Sequence, residues 1–173
     1  MKLTMPELAP KQALWLLVIA VPLIILDQVT KQWALGLQGQ EAITVIPGFW
    51  EFVYVENRGS LWGFGGTFSE LYKLVVLRGF STLVTLVVLA LVFVRTPHRL
   101  YPVIYAFIIA GAAGNLIDRF AYGFVIDFIF WHLGDLYHHP VFNIADAAIV
   151  VAIGLVILDT FFLRERKNGQ VAA

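Results

Sequence analysis

Residues 144–163 read IADAAIVVAIGLVILDTFFL, twenty positions of which only Asp146 and Asp159 carry charge. A helix crosses about 30 Å of hydrocarbon with about 20 mostly apolar residues, so this run is long enough to span a bilayer. Working outward, three more segments qualify. The first is Ala13 to Leu37, purest from Ala13 to Leu26. The second is Leu74 to Val94, interrupted by Arg78 and a few small polar residues, and the third is Leu100 to Ile117. Pro22 and Pro102 are tolerable there, because neighbouring helices can satisfy the carbonyls they free. Composition agrees. The 173 residues are 60% hydrophobic and 14% charged, with a mean hydropathy of +0.80, whereas a soluble domain carries about 45–50% apolar and about 25% charged residues. The chain has too few charges to cover itself against water and too much apolar mass to be disordered. With no Cys, disulfide scaffolds, thiolate zinc sites and thiol nucleophiles are excluded. Twelve basic and twelve acidic residues cancel, so no bulk charge draws nucleic acid. The expectation is an α-helical integral membrane protein, one membrane domain over residues 1–173 with four transmembrane helices.

Charge asymmetry orients these spans. The N-terminus (1–12), the link 95–99 and the tail 164–173 hold Lys2, Lys11, Arg95, Arg99, Arg164, Arg166 and Lys167, against Glu7 and Glu165. The longer loops, 38–73 and 118–143, hold Arg58, Lys73 and Arg119 against seven acids. By the positive-inside rule both termini are cytoplasmic and both long loops face out. Lys2 and Lys11 ahead of an apolar run, with Ala34-Leu35-Gly36 beyond it, have the outline of a cleavable signal peptide. Asp27 and Lys31, lying between run and cleavage site, fit an uncleaved functional helix better.

The outer loops are apolar too. Ile43–Ile46, then Pro47-Gly48, then Phe49–Val55 read as two strands around a turn, and Phe124–Phe130 reads as another strand. A small extracytoplasmic sheet resting on the bundle follows. Apolar loops beside a membrane suit a surface that handles lipid or a lipidated chain.

Charges inside a span are functional suspects, since each costs about 2.5–3.5 kcal/mol on insertion scales. Asp27 and Lys31 stand four apart with the acid first, the favoured order for a helical ion pair. Either they form a bundle-internal salt bridge, or they scaffold a polar site near the outer leaflet. Arg78 and Asp159 lie near helix ends, where they are expected to snorkel. A richer cluster joins the third and fourth helices: Gly114-Asn115-Leu116-Ile117-Asp118-Arg119 ends one, and Phe142-Asn143-Ile144-Ala145-Asp146 starts the other. Asp118 and Asp146 then lie at one membrane face, with Asp127 in the connection between them. Ala110-Gly111-Ala112-Ala113-Gly114 is a small-residue stripe that lets a neighbouring helix approach. Asn143 and Asp146 also read as a helix cap, and Asp118 as the partner of a nearby base.

Two carboxylates at one interface can share a proton, because like charges held close cannot both ionise. One then takes a proton from water while the other protonates a carbonyl oxygen, which is peptide hydrolysis without a covalent intermediate. Asp146, at the positive end of a helix, is the better base. Spacing leaves Asp118 and Asp127 equally eligible as its partner. Other peptidase chemistries fit worse. There is no His-Glu-x-x-His, and Gly59-Ser60-Leu61-Trp62-Gly63 is not a nucleophile elbow. His132, His138 and His139, beside Asp135, suit headgroup contact or solvation better than a metal. Neither a metal nor a cofactor is expected.

The blocks Asp27-Gln28-Val29-Thr30-Lys31, Asn57-x-Gly59, Gly114–Arg119, Val125-Ile126-Asp127-Phe128 and Phe142–Asp146 resemble, in order, those of bacterial lipoprotein signal peptidase (signal peptidase II). The resemblance covers most of the chain. It implies an aspartyl endopeptidase of the bacterial inner membrane that cuts a prolipoprotein just before its diacylglyceryl-modified Cys. It implies Asp127 and Asp146 as the catalytic pair. Asn57, Gly59, Asn115, Arg119 and Asn143 match positions that line or brace the site. Asp27 and Lys31 match the first-helix block, and Asp118 a supporting residue. Four transmembrane helices with a small β-cradle, contact with membrane lipid and sensitivity to globomycin are likewise implied, and a monomer is expected. One block departs: Ser60 and Leu61 stand before Trp62 where the family has small Ala residues, which alters the pocket wall and leaves the acid pair intact. The alternatives are a small proton-coupled transporter, with Asp27, Lys31, Asp118 and Asp146 as its polar pathway, or a lipid-binding subunit. The wholly apolar stretch Leu86 to Val94 argues against a pathway.

Overall fold

The structure, a computed structural model, describes residues 14–58, 79, 82–83, 86–87, 90 and 100–163. Within the expected second span, 74–94, the described positions are helical. The rest of that span, both termini, the link 95–99, Gly59 and Ser60 to Trp62 lie outside the described residues.

Among the described residues, three helical stretches are long and apolar enough to cross a membrane: Leu16–Leu35, Tyr101–Ala121 and Ile144–Phe161. The first opens with a π-helical turn, Leu16–Ala20, and continues as α1, Val21–Leu35. The widening precedes Pro22, with the Val21 amide reaching back to the Leu16 carbonyl. The helix thus adjusts itself locally around a residue that lacks an N–H. Helix α2, Tyr101–Ala121, runs four residues beyond the expected end and carries Asp118 and Arg119 within it. It stops before Gly123, whose φ of 85° only glycine adopts freely. Helix α3, Ile144–Leu158, begins at the expected cap and ends in a second π-helical turn, Asp159–Leu163.

Small residues let these helices close on one another. Ala20, Ala106, Ala110 and Ala148 are buried together, packed round by Leu23, Ile24 and Tyr105. Gly111 and Gly114 of α2 face α3 so closely that a Cβ at 111 would collide with the Ala145 carbonyl and the Ile149 side chain. The outer flanks are bare aliphatic surface, including Leu17, Ile25, Val29, Val150, Ile153 and Ile157, as a lipid-facing bundle requires. Asp159 corrects an expectation. It is 1% exposed rather than snorkelled, because it continues the inward face that carries Ala148 and Ala152.

At one end of the bundle lies a four-stranded antiparallel sheet in the order β1-β2-β3-β4. Its strands are β1 (Ile43–Ile46), β2 (Trp50–Asn57), β3 (Val125–Leu133) and β4 (Tyr137–His138). The turn at Pro47-Gly48 and the strands on either side follow the sequence expectation. Ala34 at the end of α1 packs with Ile126, Phe128 and Ile129, flanked by Trp50, Phe52 and Phe142. Trp33 stands edge-on to Phe52 and Phe128, with centroids 5.1 and 6.1 Å away. Strand β2 carries one extra residue between its two stretches of pairing with β3. Phe52 lies opposite Ile129, yet Val55 rather than Tyr54 lies opposite Asp127, and Asn57 lies opposite Val125. Such a bulge shifts the two-residue alternation by one, and the Asn57 side chain accordingly reaches Asp127.

Candidate active site

The site grows from the first helix. Asp27 and Lys31 lie one turn apart and both are 0% exposed. The Lys31 ammonium sits 2.9 Å from Asp27 Oδ2 and 3.0 Å from Asp118 Oδ2 on α2, and donates to Asn115 Oδ1 at 3.0 Å. The other Asp27 oxygen accepts the Ala145 amide at 2.9 Å, one of the orphan donors at the start of α3. A carboxylate is favoured there by the helix dipole. Asp118 Oδ2 also accepts the Ile126 amide at 3.0 Å, which pins β3 one residue before Asp127. Gln28 donates to Asp118 Oδ1 at 3.0 Å and to Asp27 Oδ2 at 3.2 Å. It was missed as a site residue because it is uncharged, although a polar side chain within an apolar span was signal enough.

Asn143 caps α3: its Oδ1 accepts the Asp146 amide at 2.9 Å, and Asp146 Oδ2 accepts the Asn143 amide at 3.3 Å. The same Asn143 donates through Nδ2 to Asp127 Oδ1 at 2.6 Å and to Asn115 Oδ1 at 3.1 Å. Asn57 donates to the second Asp127 oxygen at 2.9 Å, and Asn115 donates to Asp146 Oδ1 at 2.7 Å. Arg119 donates to the Asn115 carbonyl at 3.4 Å. Asp127 and Asp146 are therefore joined by carboxamides on every side named. Asp127 is 1% exposed and Asp146 half-buried. Burial pushes the Asp127 carboxyl up to about 7, and the neighbouring Asp146 charge adds to the rise. The Asn57 and Asn143 donors and the Lys31 charge oppose it.

The open choice between Asp118 and Asp127 thus acquires a geometry. Asp118 is engaged by Lys31, Gln28 and a backbone amide, while Asp127 shares Asn143 with Asp146. The helix cap and the acid cluster, read from sequence as alternatives, coincide. Of the residues singled out from the sequence, Asp27, Lys31, Asn57, Asn115, Asp118, Arg119, Asp127, Asn143 and Asp146 meet here; Gly59 lies outside the described residues. The histidines do not join them. His132 and His138 both reach the Gly134 carbonyl, at 3.3 and 3.1 Å, in the β3–β4 turn.

An apolar helix bundle with two amide-held carboxylates at the end that carries its sheet defines a class: a membrane protein equipped for acid–base chemistry. Comparison with known proteins narrows it. The family model for signal peptidase (SPase) II matches residues 19–162. A lipoprotein signal peptidase of Clostridium tetani is 40% identical over 151 residues, 86% of this chain and 92% of that protein. One from Shewanella loihica is 41% identical over 165 residues, 90% and 91% of the two chains. A solved bacterial membrane enzyme superposes with a TM-score of 0.72 at 28% identity, covering 85% of this chain and 92% of that one. The chain belongs to the signal peptidase II family. It is accordingly an aspartic peptidase that removes signal peptides from lipoproteins, with the membrane-spanning helices expected of a bacterial inner membrane protein.

Proposed function

We propose that the protein cuts diacylglyceryl-modified prolipoproteins just before the lipidated Cys, with Asp127 as general acid and Asp146 as general base. The observation that carries this reading is the shared amide framework: one Asn143 side chain caps the helix of Asp146 and donates to Asp127. Asp127, with an affinity for its proton raised to about 7, keeps that proton near neutrality. Asp146 then accepts a proton from water as the water oxygen attacks the scissile carbonyl, and Asp127 protonates the carbonyl oxygen. Collapse of the resulting gem-diol returns a proton to Asp127, while Asp146 delivers its own to the departing amine. No covalent enzyme intermediate forms. Asn57, Gly59, Asn115, Arg119 and Asn143 line or brace the pair, with Asp27, Lys31 and Asp118 behind them.

The wider reading has four transmembrane spans in one membrane domain of 173 residues, residues 74–94 supplying the second. Both termini are cytoplasmic, and the sheet and acid pair face outward, as the distribution of Lys and Arg supports. Acyl chains on the substrate Cys bury about 0.8 kcal/mol per CH₂ in the bilayer, so lipid concentrates the substrate and the enzyme has only to orient an extended peptide. A monomer that contacts lipid and binds globomycin-type inhibitors completes the proposal.

The test is cleavage of a diacylglyceryl-modified prolipoprotein by purified protein in detergent, read as product mass. Asp127→Asn and Asp146→Asn should each lower the rate by at least about 100-fold, the scale of a lost general acid or base, while the protein remains folded. Full activity in either variant refutes the assignment. Activity should survive EDTA; its loss would bring the histidines of the β3–β4 turn into the chemistry.

A further inference from the structure

The Lys31 ammonium has three protons and three acceptors: Asp27 Oδ2, Asp118 Oδ2 and Asn115 Oδ1. Of the two carboxylate contacts, one lies within α1 and the other joins α1 to α2. The third goes to a neutral amide whose other end touches Asp146. We propose that Lys31 is a positioning residue for the acid pair, acting through Asn115: by donating to Oδ1 it fixes which way the carboxamide faces, so that Nδ2 is presented to Asp146. This deepens the reading above and rests on Asp127 and Asp146 being the reacting acids.

A carboxamide can turn end for end, and what it presents to a neighbour depends on what holds its far side. Turned round, Asn115 would set its oxygen against an Asp146 oxygen and remove the donor that Asn115 supplies to that acid. Two groups oppose the turn, and they are unequal. Asn143 Nδ2 has two protons but three acceptors, Asp127 Oδ1 at 2.6 Å, Asn115 Oδ1 at 3.1 Å and the Ile126 carbonyl at 3.2 Å. Its hold on Asn115 is divided. Lys31 can only donate and is 0% exposed, where charge-assisted hydrogen bonds are strongest. It is the group that decides the orientation.

Replacing Lys31 alone would leave Asp27 and Asp118 buried together without a cation, so the test is made in an Asp27→Asn background. An amide at position 27 can still accept the Ala145 N–H and brings the formal charge of the trio from −1 to 0; adding Lys31→Met returns it to the parent's −1, with Asp118 as its one carboxylate. Four full-length proteins are compared in detergent: Asp27→Asn alone, with Lys31→Met, with Asn115→Ala, and with both. Cleavage of the diacylglyceryl-modified prolipoprotein is followed in the steady state over a range of substrate concentrations, so that kcat and KM are taken separately, with single turnover at excess enzyme as the check on the slowest variants. Lys31→Met should lower the rate by about 100-fold, the scale of an ångström's misplacement of a reacting group. That loss should fall on kcat with KM little changed, and at unchanged melting temperature. In the Asn115→Ala background the same substitution should cost less than about threefold, because coupled residues are not additive. An equal loss in both backgrounds, a loss confined to KM, or one that tracks a fall in melting temperature would overturn the proposal. An error in the acid pair itself reads differently: Asp127→Asn or Asp146→Asn would then keep cleaving whatever the cycle gives.

Discussion

Gly114→Ala tests whether the polar network depends on the closeness of the helices that carry it. A Cβ built at position 114 would stand 2.5 Å from Asp27 Oδ2, 3.1 Å from Asp27 Cγ and 3.0 Å from Ala145 Cβ. The first separation is about 1 Å short of ordinary van der Waals contact. Asp27 cannot swing aside freely, because Oδ1 holds the Ala145 amide and Oδ2 holds Lys31. Either α2 moves away from α1 and α3, or Asp27 releases one of its partners. Overpacking of this kind costs about 1–3 kcal/mol, while alanine in place of a helical glycine returns about 1 kcal/mol. The net destabilisation is therefore on the order of 0–2 kcal/mol. Activity should suffer far more, because Asp27 holds Lys31, Lys31 holds Asn115 and Asn115 holds Asp146. A displacement of this size at the acid pair is worth about 100-fold in rate. The assays are thermal unfolding and prolipoprotein cleavage in the same detergent. Gly154→Ala is the control: it is exposed, nothing lies within 4 Å of its added Cβ, and it should raise stability slightly with cleavage unchanged. Parental activity in Gly114→Ala would refute the reasoning, since it would mean the acid pair tolerates movement of the residues behind it.

Two further outcomes follow from the protonation of Asp127. In the proposed mechanism Asp127 must hold a proton to act, so cleavage should decline as pH rises through about 7, measured as kcat/KM against pH; a rate still rising to pH 9 would exclude Asp127 as the acid. The same group affects stability with a definite sign. Its affinity is raised in the folded protein above the ordinary 3.8 by burial first and the Asp146 charge second, so its contribution is most favourable below pH 4 and is lost as pH climbs to about 7. The full cost above that window is about 4 kcal/mol. Asp127→Asn removes it and loses about 1–3 kcal/mol where the new NH₂ meets the Asn57 or Asn143 donor. The variant should thus melt higher than the parent at pH 8, with the advantage gone by pH 4; equal melting at pH 8 would show that the buried charge costs nothing.

The spans were legible because their signal is collective. Twenty apolar residues in a row outweigh any one exception, and the strands announced themselves through the turn residues at Pro47-Gly48. The polar cluster was legible for the converse reason: Asp27, Lys31 and Asp118 are too costly in apolar surroundings to lack partners. What the sequence concealed was phase. From Phe52 to Val55 every residue of β2 is apolar or aromatic, so the alternation that reports register is flat across the bulge. That bulge decides whether Asn57 faces Asp127 or turns away. The choice between Asp118 and Asp127 depended on the same kind of detail, since the Ile126 amide bound to Asp118 sets where β3 begins. Asp159 failed for want of phase as well. Its nearness to a helix end suggested the surface, and only the packing of the Ala148 and Ala152 face shows that it points inward.

The arrangement also explains why the buried cation stands one residue behind the acids. A lysine touching Asp127 directly would favour the ionised form of that carboxylate, against its proposed role as the acid. An acid pair needs the reverse: one member able to keep its proton, the other able to accept one. Lys31 instead spends its charge on Asp27 and Asp118 and passes on only orientation, through a neutral amide. Among the groups acting on Asp127 its influence is the weakest named, behind burial, the Asp146 charge and the two asparagine donors. Carboxamides suit the intervening layer because each offers a donor on one side and an acceptor on the other without net charge. They can hold two carboxylates in fixed places while leaving open which of them carries the proton.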